Sequence, residues 1–230
     1  IMQPYIFPYL GYFQLIDSSS KIIFYDDVNF IKRGWINRNK ILVNNKEHLF
    51  SIPLHKASQN KLILEIKPKI DEKFLNKFYN QIELAYKKAP FFKEINNIVL
   101  STLNKEYDSI SDLAIQSIIN VQKYLGLELN WEKSSNLSTE SRGMDKADRL
   151  IHITKKLGFN KYINTENGME LYNKSYFKSK GVELNFLISK QSKYKQFKSD
   201  FISNLSILDI LMFEEPKTIK RNFLKNYEIV

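Results

Sequence analysis

The sequence predicts an α/β fold with a parallel, doubly wound sheet, and one repeated pattern carries most of that prediction. Three helix-compatible segments end in Gly and run into a short apolar stretch: KYLGLELNW at 123–131, KKLGFNKYIN at 155–164 and KSKGVELNFLI at 178–188. Gly at such positions fits a helix C-cap. Strands that alternate with helices are typical of a parallel sheet. We therefore expect one sheet that holds strands at 22–25, 127–131, 161–164 and 182–188.

Length and composition are those of a globular protein. A chain of 230 residues with 43% hydrophobic content can bury one large core, and we interpret 1–230 as a single α/β domain. There is no apolar run of membrane-spanning length and no secretory leader, so a cytoplasmic location is expected. The absence of Cys excludes disulfides, thiolate metal sites and Cys nucleophiles. Ile is an unusual first residue, and we expect the native start to lie upstream of this numbering.

The net charge of +10 favours polyanionic or phosphorylated partners, because a basic field raises their local concentration. The lysines are dispersed, however, and the chain has no five-residue run of Lys and Arg and no recognised nucleic-acid-binding motif. A phosphorylated small molecule is therefore a better-supported partner than a nucleic acid.

The opening stretch, IMQPYIFPYLGYFQLI at 1–16, joins the end of a strand to the start of a helix through a turn that contains Pro4, Pro8 and Gly11. In open α/β sheets such turns lie at the ligand crevice, where the next helix presents unpaired N–H groups and the positive end of its dipole. The turn is thus a candidate phosphate site. The alternative is a rigid, aromatic-lined structural turn.

Two further stretches carry candidate site residues. Asp26 and Asp27 close the predicted strand 22–25, and FIKRGWINRN at 30–39 then gathers cationic, aromatic and amide side chains. Arg presents a planar fork that suits phosphate or carboxylate, and Trp presents a face for a base or a sugar ring. The polar segment 133–149 adds hydroxyls and arginines between a strand and a helix. The alternatives are an ordinary basic loop at 30–39 and a disordered surface loop at 133–149.

The middle of the chain changes its apolar period. Residues 41–67 are expected to form an antiparallel β insertion, with a turn at Asn44-Asn45 and a third strand at 62–66. Residues 72–125 form a helical segment, in which three helices are predicted and Ser109 begins the last. Two more helices are expected, at 205–213 with Asp209 as a buried polar anchor, and at 218–227.

Taken together, QPYIFPYLGYF, DDVNFIKRGWINRN, KKAPFF, KSSNL, DRLIHITKKLG and LSILDILMF resemble the WbqC-like family, in the same order and through essentially the whole chain. This resemblance implies a bacterial cytoplasmic protein associated with surface-polysaccharide assembly, such as the O-antigen of lipopolysaccharide, and especially with modified-sugar biosynthesis. It does not supply an agreed reaction.

A second resemblance is to the Rossmann-like nucleotidyltransferases, whose strand-turn-helix carries a phosphate-binding His-x-Gly-His signature. Tyr9-Leu10-Gly11-Tyr12 occupies that place here, and the fold expected on this basis is a Rossmann-like parallel sheet flanked by helices. Tyr carries no positive charge, so cationic stabilisation of a phosphoryl group would come from other residues. The candidates for that role are Lys32, Arg33, Arg142 and Arg149.

The functional expectation is a transferase that acts on a nucleotide-linked sugar or amino sugar in O-antigen biosynthesis. No metal or other cofactor is required, and the expected ligand is a nucleotide or a nucleotide-sugar. The alternatives are a non-catalytic nucleotide-sugar-binding or scaffolding protein of the same pathway and a protein that binds RNA of the tRNA type.

The expected site residues fall into two sets. Asp26, Asp27 and Tyr12 are the catalytic candidates, with an aspartate as base. The candidate binding residues are Gln3, Pro4, Tyr9, Gly11, Lys32, Arg33, Trp35, Asn37, Arg38, Ser134, Ser135, Arg142 and Arg149. Because the carboxyl ends of parallel strands meet at one edge, Tyr12, Asp26, Arg33 and Arg142 are expected to converge on one cleft.

Overall fold

The computed structural model describes residues 1–190, 192–198 and 200–230 and shows a mixed α/β fold with small sheets. The helices are α1 (Leu10–Asp17), α2 (Glu72–Tyr86), α3 (Phe92–Leu103), α4 (Ile110–Leu125), α5 (Ser134–Leu137), α6 (Lys146–Lys156), α7 (Lys174–Ser179), α8 (Ile207–Phe213) and α9 (Pro216–Thr218). The strands are β1 (Ile22–Phe24), β2 (Arg38–Val43), β3 (Lys46–Ser51), β4 (Trp131–Lys133), β5 (Lys161–Thr165), β6 (Glu183–Ser189) and β7 (Tyr227–Ile229).

The strands form three separate hydrogen-bonded sheets. β1 pairs in parallel with β4, β2 pairs antiparallel with β3, and β6 lies between parallel β5 and antiparallel β7. The prediction that the three strands after Gly share one sheet is therefore wrong, because β4 belongs to a different sheet from β5 and β6. A Rossmann-like fold is not confirmed.

The first residues explain why the two parallel pairs do not merge. The N–H of Met2 donates to the carbonyl of Ile23 at 2.9 Å, and the N–H of Tyr25 donates to the carbonyl of Met2 at 2.8 Å, so this segment lies beside β1. Its link to β5 is a side-chain bond, from the hydroxyl of Tyr162 to the carbonyl of Ile1 at 3.1 Å. Pro4 has no N–H with which to continue a ladder.

Local turn chemistry is where the sequence predicted it. Gly126, Gly158 and Gly181 follow helices with φ of 64°, 76° and 77°, which confirms the predicted C-terminal glycines. Asn44 and Asn45 join β2 to β3 with φ of 50° and 58°, as a two-residue hairpin requires. In these turns one or two residues decide the backbone conformation.

Three predicted elements differ from the structure. The strand predicted at 127–131 begins only at its last residue, since β4 runs from Trp131 to Lys133. Residues 62–66 hold a 3₁₀ turn (Ile63–Glu65) instead of a strand, and the side chain of Glu65 accepts the N–H of Leu62 at 2.7 Å. This local bond competes with a strand ladder. The predicted helix at 218–227 ends in a π-helical turn (Ile219–Phe223), since β7 then pairs with β6.

The helices are positioned by caps and by their apolar faces. Asp71 caps α2, and the hydroxyl of Ser109 accepts the N–H of Asp112 at the start of α4. The main core lies among α1, β1, the β2–β3 hairpin, α2 to α4 and α8, and a smaller cluster lies among α6, β5, α7 and β6. Over the described ranges, no helix combines the length and the apolarity needed to cross a membrane.

The opening turn is the meeting point of the main core. Phe7 is fully buried and has a φ of 40°. Its N–H donates to the hydroxyl of Ser117 on α4 at 2.9 Å. Its carbonyl accepts the side-chain amide of Asn39 on β2 and the hydroxyl of Ser206 before α8, each at 2.7 Å. Three distant parts of the chain therefore hydrogen-bond one residue of the turn.

We expect Ser117→Ala to lower the free energy of unfolding by about 1–3 kcal/mol, because the buried N–H of Phe7 loses its acceptor. Chemical denaturation measures this change. Ser101→Ala is the matched control: Ser101 makes the same kind of bond, to a carbonyl three residues earlier, but lies exposed on α3. Its effect should stay within about 0.5 kcal/mol. Equal losses in the two variants would contradict the role given to Ser117.

Candidate functional site

A cavity of about 930 Å³ lies against the opening turn. Its walls come from the first residues of the chain, the end of β1, the loop before β2, the ends of β5 and β6 and the segment before α8. Four of the predicted site residues line it: Gln3, Tyr9, Gly11 and Trp35. Concave sites of this size bind small molecules and cofactors.

The N-terminus of α1 opens on this cavity. Tyr9 is the N-cap residue, and its side chain makes no capping hydrogen bond. Leu10 and Gly11 both line the cavity. A Cβ at Gly11 would lie 2.6 Å from Cε2 of Tyr9, so the absence of a side chain lets the Tyr9 ring lie over the helix start. Free N–H groups and the positive dipole end make a helix N-terminus attractive to anions.

Aromatic side chains form much of the cavity wall. Among the described residues these are Trp35, Phe201 and six tyrosines: Tyr5, Tyr9, Tyr25, Tyr162, Tyr172 and Tyr194. Burial, with a smaller effect of Tyr9, raises the pKa of Tyr5 to about 12. Burial likewise raises the pKa of Tyr162 well above its usual value. Both hydroxyls therefore stay protonated at neutral pH. That of Tyr162 donates to the carbonyl of Ile1, whereas that of Tyr5 can donate a hydrogen bond to a bound ligand.

The charged groups at the cavity are few. Over the described ranges they are Lys146 at the start of α6, Lys190 just after β6 and Glu166 just after β5. Lys190 also contacts Glu228, with 3.3 Å between its Nζ and a carboxylate oxygen. The cavity thus presents two cations and one carboxylate.

A buried ionic cluster lies behind the cavity wall. Asp27 accepts Arg142 Nε at 2.9 Å and Arg149 Nη2 at 2.6 Å, and the side chain of Asp27 has no exposed surface. Burial raises the pKa of Asp27, but the hydrogen bonds from Ser134, Arg142 and Arg149 outweigh it, so the net pKa lies below the usual value. Asp27 is therefore a carboxylate throughout the neutral range.

Asp26 joins the same cluster through hydroxyl and amide donors. Ser135 donates its N–H at 3.0 Å and its hydroxyl at 2.7 Å, and the hydroxyl of Ser134 donates to both aspartates. These bonds hold the polar segment 133–149 on the end of β1. Asp26 and Arg142, more than a hundred residues apart, thus lie in one cluster.

Tyr25 connects the ionic cluster to the cavity. The guanidinium carbon of Arg149 lies 4.7 Å from the centroid of the Tyr25 ring, and Tyr25 lines the cavity. Arg149 also donates to the hydroxyl of Ser141 at 3.1 Å. The side chains that fix Arg149 therefore also fix one part of the cavity wall.

The other predicted residues lie outside both groups. Tyr12 is fully buried, and its hydroxyl donates to the carbonyl of Gln3 at 2.9 Å. Arg38 donates to the backbone carbonyls of Gly34 and Arg33 and lies 5.6 Å from the Trp35 ring. Pro4 is buried, Asn37 donates to the carbonyl of Ile52 at 2.8 Å, and Lys32 and Arg33 are exposed. Of the four residues expected to converge on one cleft, none is among the cavity-lining residues. Asp26 and Arg142 lie in the ionic cluster behind the wall, and Tyr12 and Arg33 lie outside it.

Sequence reasoning missed Tyr25, Tyr162, Asn164, Glu166 and Tyr172, all of which line the cavity. The last four follow or belong to β5. The rule that pointed to Asp26, that ligands bind beyond the carboxyl ends of parallel strands, also points to Glu166 after β5. Over the described ranges, no group of three His, Asp or Glu side chains is arranged to hold a metal ion.

Comparison with known proteins places the chain in a family. The model of the WbqC-like protein family matches residues 3–221. The chain belongs to the WbqC-like family. Its similarity to the uncharacterized protein Rv1507c of Mycobacterium tuberculosis (strain ATCC 25618 / H37Rv) agrees: 23% identity over 219 residues, which covers 92% of this chain and 91% of the relative. No solved structure matches. Family membership indicates a role related to polysaccharide biosynthesis.

We expect Asp27→Asn to lower the free energy of unfolding at pH 7 by about 3 kcal/mol, because Arg149 then stays buried without its counter-charge. The pH dependence should change as well. The pKa of Asp27 is lower in the folded protein than its usual 3.8, so its contribution is complete above 3.8 and is lost as pH falls from there towards the folded value.

In the Asp27→Asn variant, the loss of stability that comes from protonation of Asp27 at low pH should disappear. Denaturation at several pH values measures this change. The control is Asp148→Asn, since Asp148 is not buried and accepts a hydrogen bond from the hydroxyl of Tyr176. If the stabilities of wild type and Asp27→Asn fall in parallel below pH 4, the titration assigned to Asp27 is wrong.

Proposed function

We propose that the protein is a transferase of surface-polysaccharide biosynthesis that acts on a nucleotide-linked sugar or amino sugar bound in the 930 Å³ cavity. The observation that carries this proposal is the position of the α1 N-terminus in a cavity with aromatic walls. A nucleotide-sugar combines anionic phosphates with flat rings, and the cavity offers groups that suit both.

The phosphate end is assigned to the start of α1. Leu10 and Gly11 present backbone N–H groups there, and Ser189 and Lys190 at the end of β6 line the same cavity. A Cβ at Gly11 would lie 3.4 Å from Cβ of Ser189, which shows how closely the end of β6 approaches the helix. A bound phosphate therefore gains hydrogen bonds, the helix dipole and one nearby cation.

The base or sugar ring is assigned to Trp35 and the tyrosines. Trp35 is 41% exposed, and its ring has Arg38 and Lys40 as cationic neighbours at 5.6 Å and 6.0 Å. Exposed indole surface at a cavity is unusual for a structural residue and typical of a stacking contact. The base of a nucleotide is the natural partner for such a face.

A non-catalytic sugar-nucleotide-binding protein is the second candidate, and one observation favours it. Asp26 and Asp27, the expected bases, are 1% and 3% exposed, and their oxygens already accept hydrogen bonds. In this cluster Asp27 positions Arg149 and, through it, Tyr25, while Asp26 accepts hydrogen bonds from Ser134 and Ser135. The two candidates share the ligand and differ only in turnover.

The first test of the proposal is thermal shift with UDP-glucose, dTDP-glucose, UDP, dTDP and glucose 1-phosphate. At a concentration of about 100 times Kd, a ligand that binds only the folded protein adds about 2.7 kcal/mol of stability and raises Tm. Failure of every compound to raise Tm would contradict the proposed ligand class.

A second experiment tests for transfer. The protein is incubated with the sugar nucleotide that it binds and with the small-molecule fraction of a bacterial extract, and a transferase should increase the mass of that sugar nucleotide. Binding without that increase supports the second candidate.

Trp35→Leu should weaken nucleotide binding about tenfold, because stacking of a base on an aromatic ring contributes about 1–3 kcal/mol. Trp131→Leu is the matched control: Trp131 is 37% exposed but lies on β4, outside the cavity-lining residues. Calorimetry measures both affinities. If Trp131→Leu weakens binding as much as Trp35→Leu does, the stacking site is wrongly placed.

Gly11→Ala should also weaken nucleotide binding, and we expect it to lower the free energy of unfolding only slightly. The added methyl would lie 2.6 Å from the Tyr9 ring and push it away from its position at the cavity. Tyr9→Ala in the Gly11→Ala background removes that collision. If calorimetry shows that Gly11→Ala weakens binding in the Tyr9→Ala background as much as it does in the wild type, the steric explanation is contradicted.

A further inference from the structure

Glu166 is the one acidic side chain that lines the cavity within the described part of the chain. It follows β5 directly and begins a 3₁₀ turn (Glu166–Gly168). Its carbonyl accepts the N–H of Met169 at 2.9 Å. Its carboxylate is exposed, and none of the hydrogen bonds or ion pairs between described residues includes it. The two aspartates first expected to act in the site are in contrast buried behind the wall.

Glu166 lies near the end of the cavity assigned to phosphate. Thr165, directly before Glu166, pairs with Leu187 on β6, and Ser189, two residues further along β6, is the residue that approaches Gly11. In agreement with this geometry, the pKa of Tyr9 is raised by burial and, to a lesser extent, by the negative charge of Glu166. Tyr9 is the N-cap of α1, beside Gly11 and the end of β6. A carboxylate therefore stands close to a helix N-terminus that is suited to an anion.

This arrangement is unfavourable for an anion alone. A carboxylate repels a phosphate held nearby, and the repulsion is strongest where walls exclude water. A neutral sugar hydroxyl would leave that repulsion uncompensated. A ligand that places a positive group between the phosphate and Glu166 turns the repulsion into attraction. The site then binds this ligand more tightly than its neutral analogue.

We propose that Glu166 binds an ammonium group of the substrate, so that the cavity selects amino sugars that also carry a phosphate. This inference rests on the proposed function and narrows it to one substrate class. Lys190 and the start of α1 take the phosphate, and Glu166 takes the amine. A 2-amino sugar 1-phosphate carries both charged groups and therefore serves as the test compound.

The test compares glucosamine 1-phosphate with glucose 1-phosphate by calorimetry at low ionic strength, where surface charges are least screened. The two compounds differ only in an ammonium and a hydroxyl group. Wild type should bind the amino sugar about tenfold more tightly, since a charge-assisted hydrogen bond replaces a repulsive contact. Glu166→Gln keeps the size and hydrogen-bonding capacity of the side chain and removes its charge.

Glu166→Gln should change the two affinities in opposite directions. Binding of glucosamine 1-phosphate should weaken about tenfold, while binding of glucose 1-phosphate should strengthen, because the repulsion is gone. General damage to the cavity would weaken both. Glu170→Gln is the matched control, since Glu170 is exposed four residues further on and is not among the cavity-lining residues. Both of its affinities should equal those of wild type.

The outcomes separate this inference from the proposed function. Equal wild-type affinities for the two sugars, or a Glu166→Gln variant that weakens both, overturn the role of Glu166 even where UDP-glucose raises Tm. If the wild type binds neither sugar phosphate, the inference is also overturned. If UDP-glucose does not raise Tm either, the proposed function is overturned as well. Opposite changes in the two affinities confirm the ammonium site.

Discussion

The rest of the structure depends on the hydrogen bonding of the opening turn. A buried peptide group without a partner costs about 1–3 kcal/mol, and Phe7 lies in the main core with a positive φ. Local structure cannot satisfy its N–H and carbonyl, so Ser117, Asn39 and Ser206 do so from three distant parts of the chain. The hairpin, the helical segment and α8 are thereby held around one residue. The same turn leads directly into Tyr9 and α1, so the constraint that organises the core also sets one wall of the cavity.

The second organising contact is electrostatic. Two guanidinium groups meet the carboxylate of Asp27 beyond β1, and Asp27 and Arg149 are buried there. Buried ion pairs add little net stability, but they cost a great deal when only one partner is removed. Their effect is to specify position: Asp27 fixes Arg149, and Arg149 fixes the Tyr25 ring. Cavity walls held in this way lose less entropy when a ligand binds.

The sequence predicted those parts of the structure in which one or two residues decide the conformation. Asn44-Asn45 favours a tight hairpin by itself, and glycine after a helix favours the left-handed C-cap. Sharing of strands among sheets is different, because it depends on where Met2 and Pro4 place the first residues relative to β1 and β5. The same distinction applies to the candidate site. The aspartates and arginines met because they flank β1 and β4, whereas the tyrosines of the cavity wall come from distant segments and carry no local signature.

The distribution of charge supports one kind of chemistry over another. Transfer of a phosphoryl group requires cations at the reacting oxygens, yet the buried Arg149 is committed to Asp27 and Ser141. The Tyr-Leu-Gly-Tyr sequence offers a helix N-terminus and neutral hydroxyls, and of its two tyrosines only Tyr9 lines the cavity. In the proposed function a phosphate is held at the start of α1 with Lys190 nearby, and Arg149 takes no part in activating it. The phosphate then serves as a handle for binding, and a reaction, where one occurs, takes place on the sugar. In the proposed arrangement Glu166, whose carboxylate has no hydrogen-bond or ion-pair partner among the described residues, lines the same cavity and is available to the sugar end of the ligand.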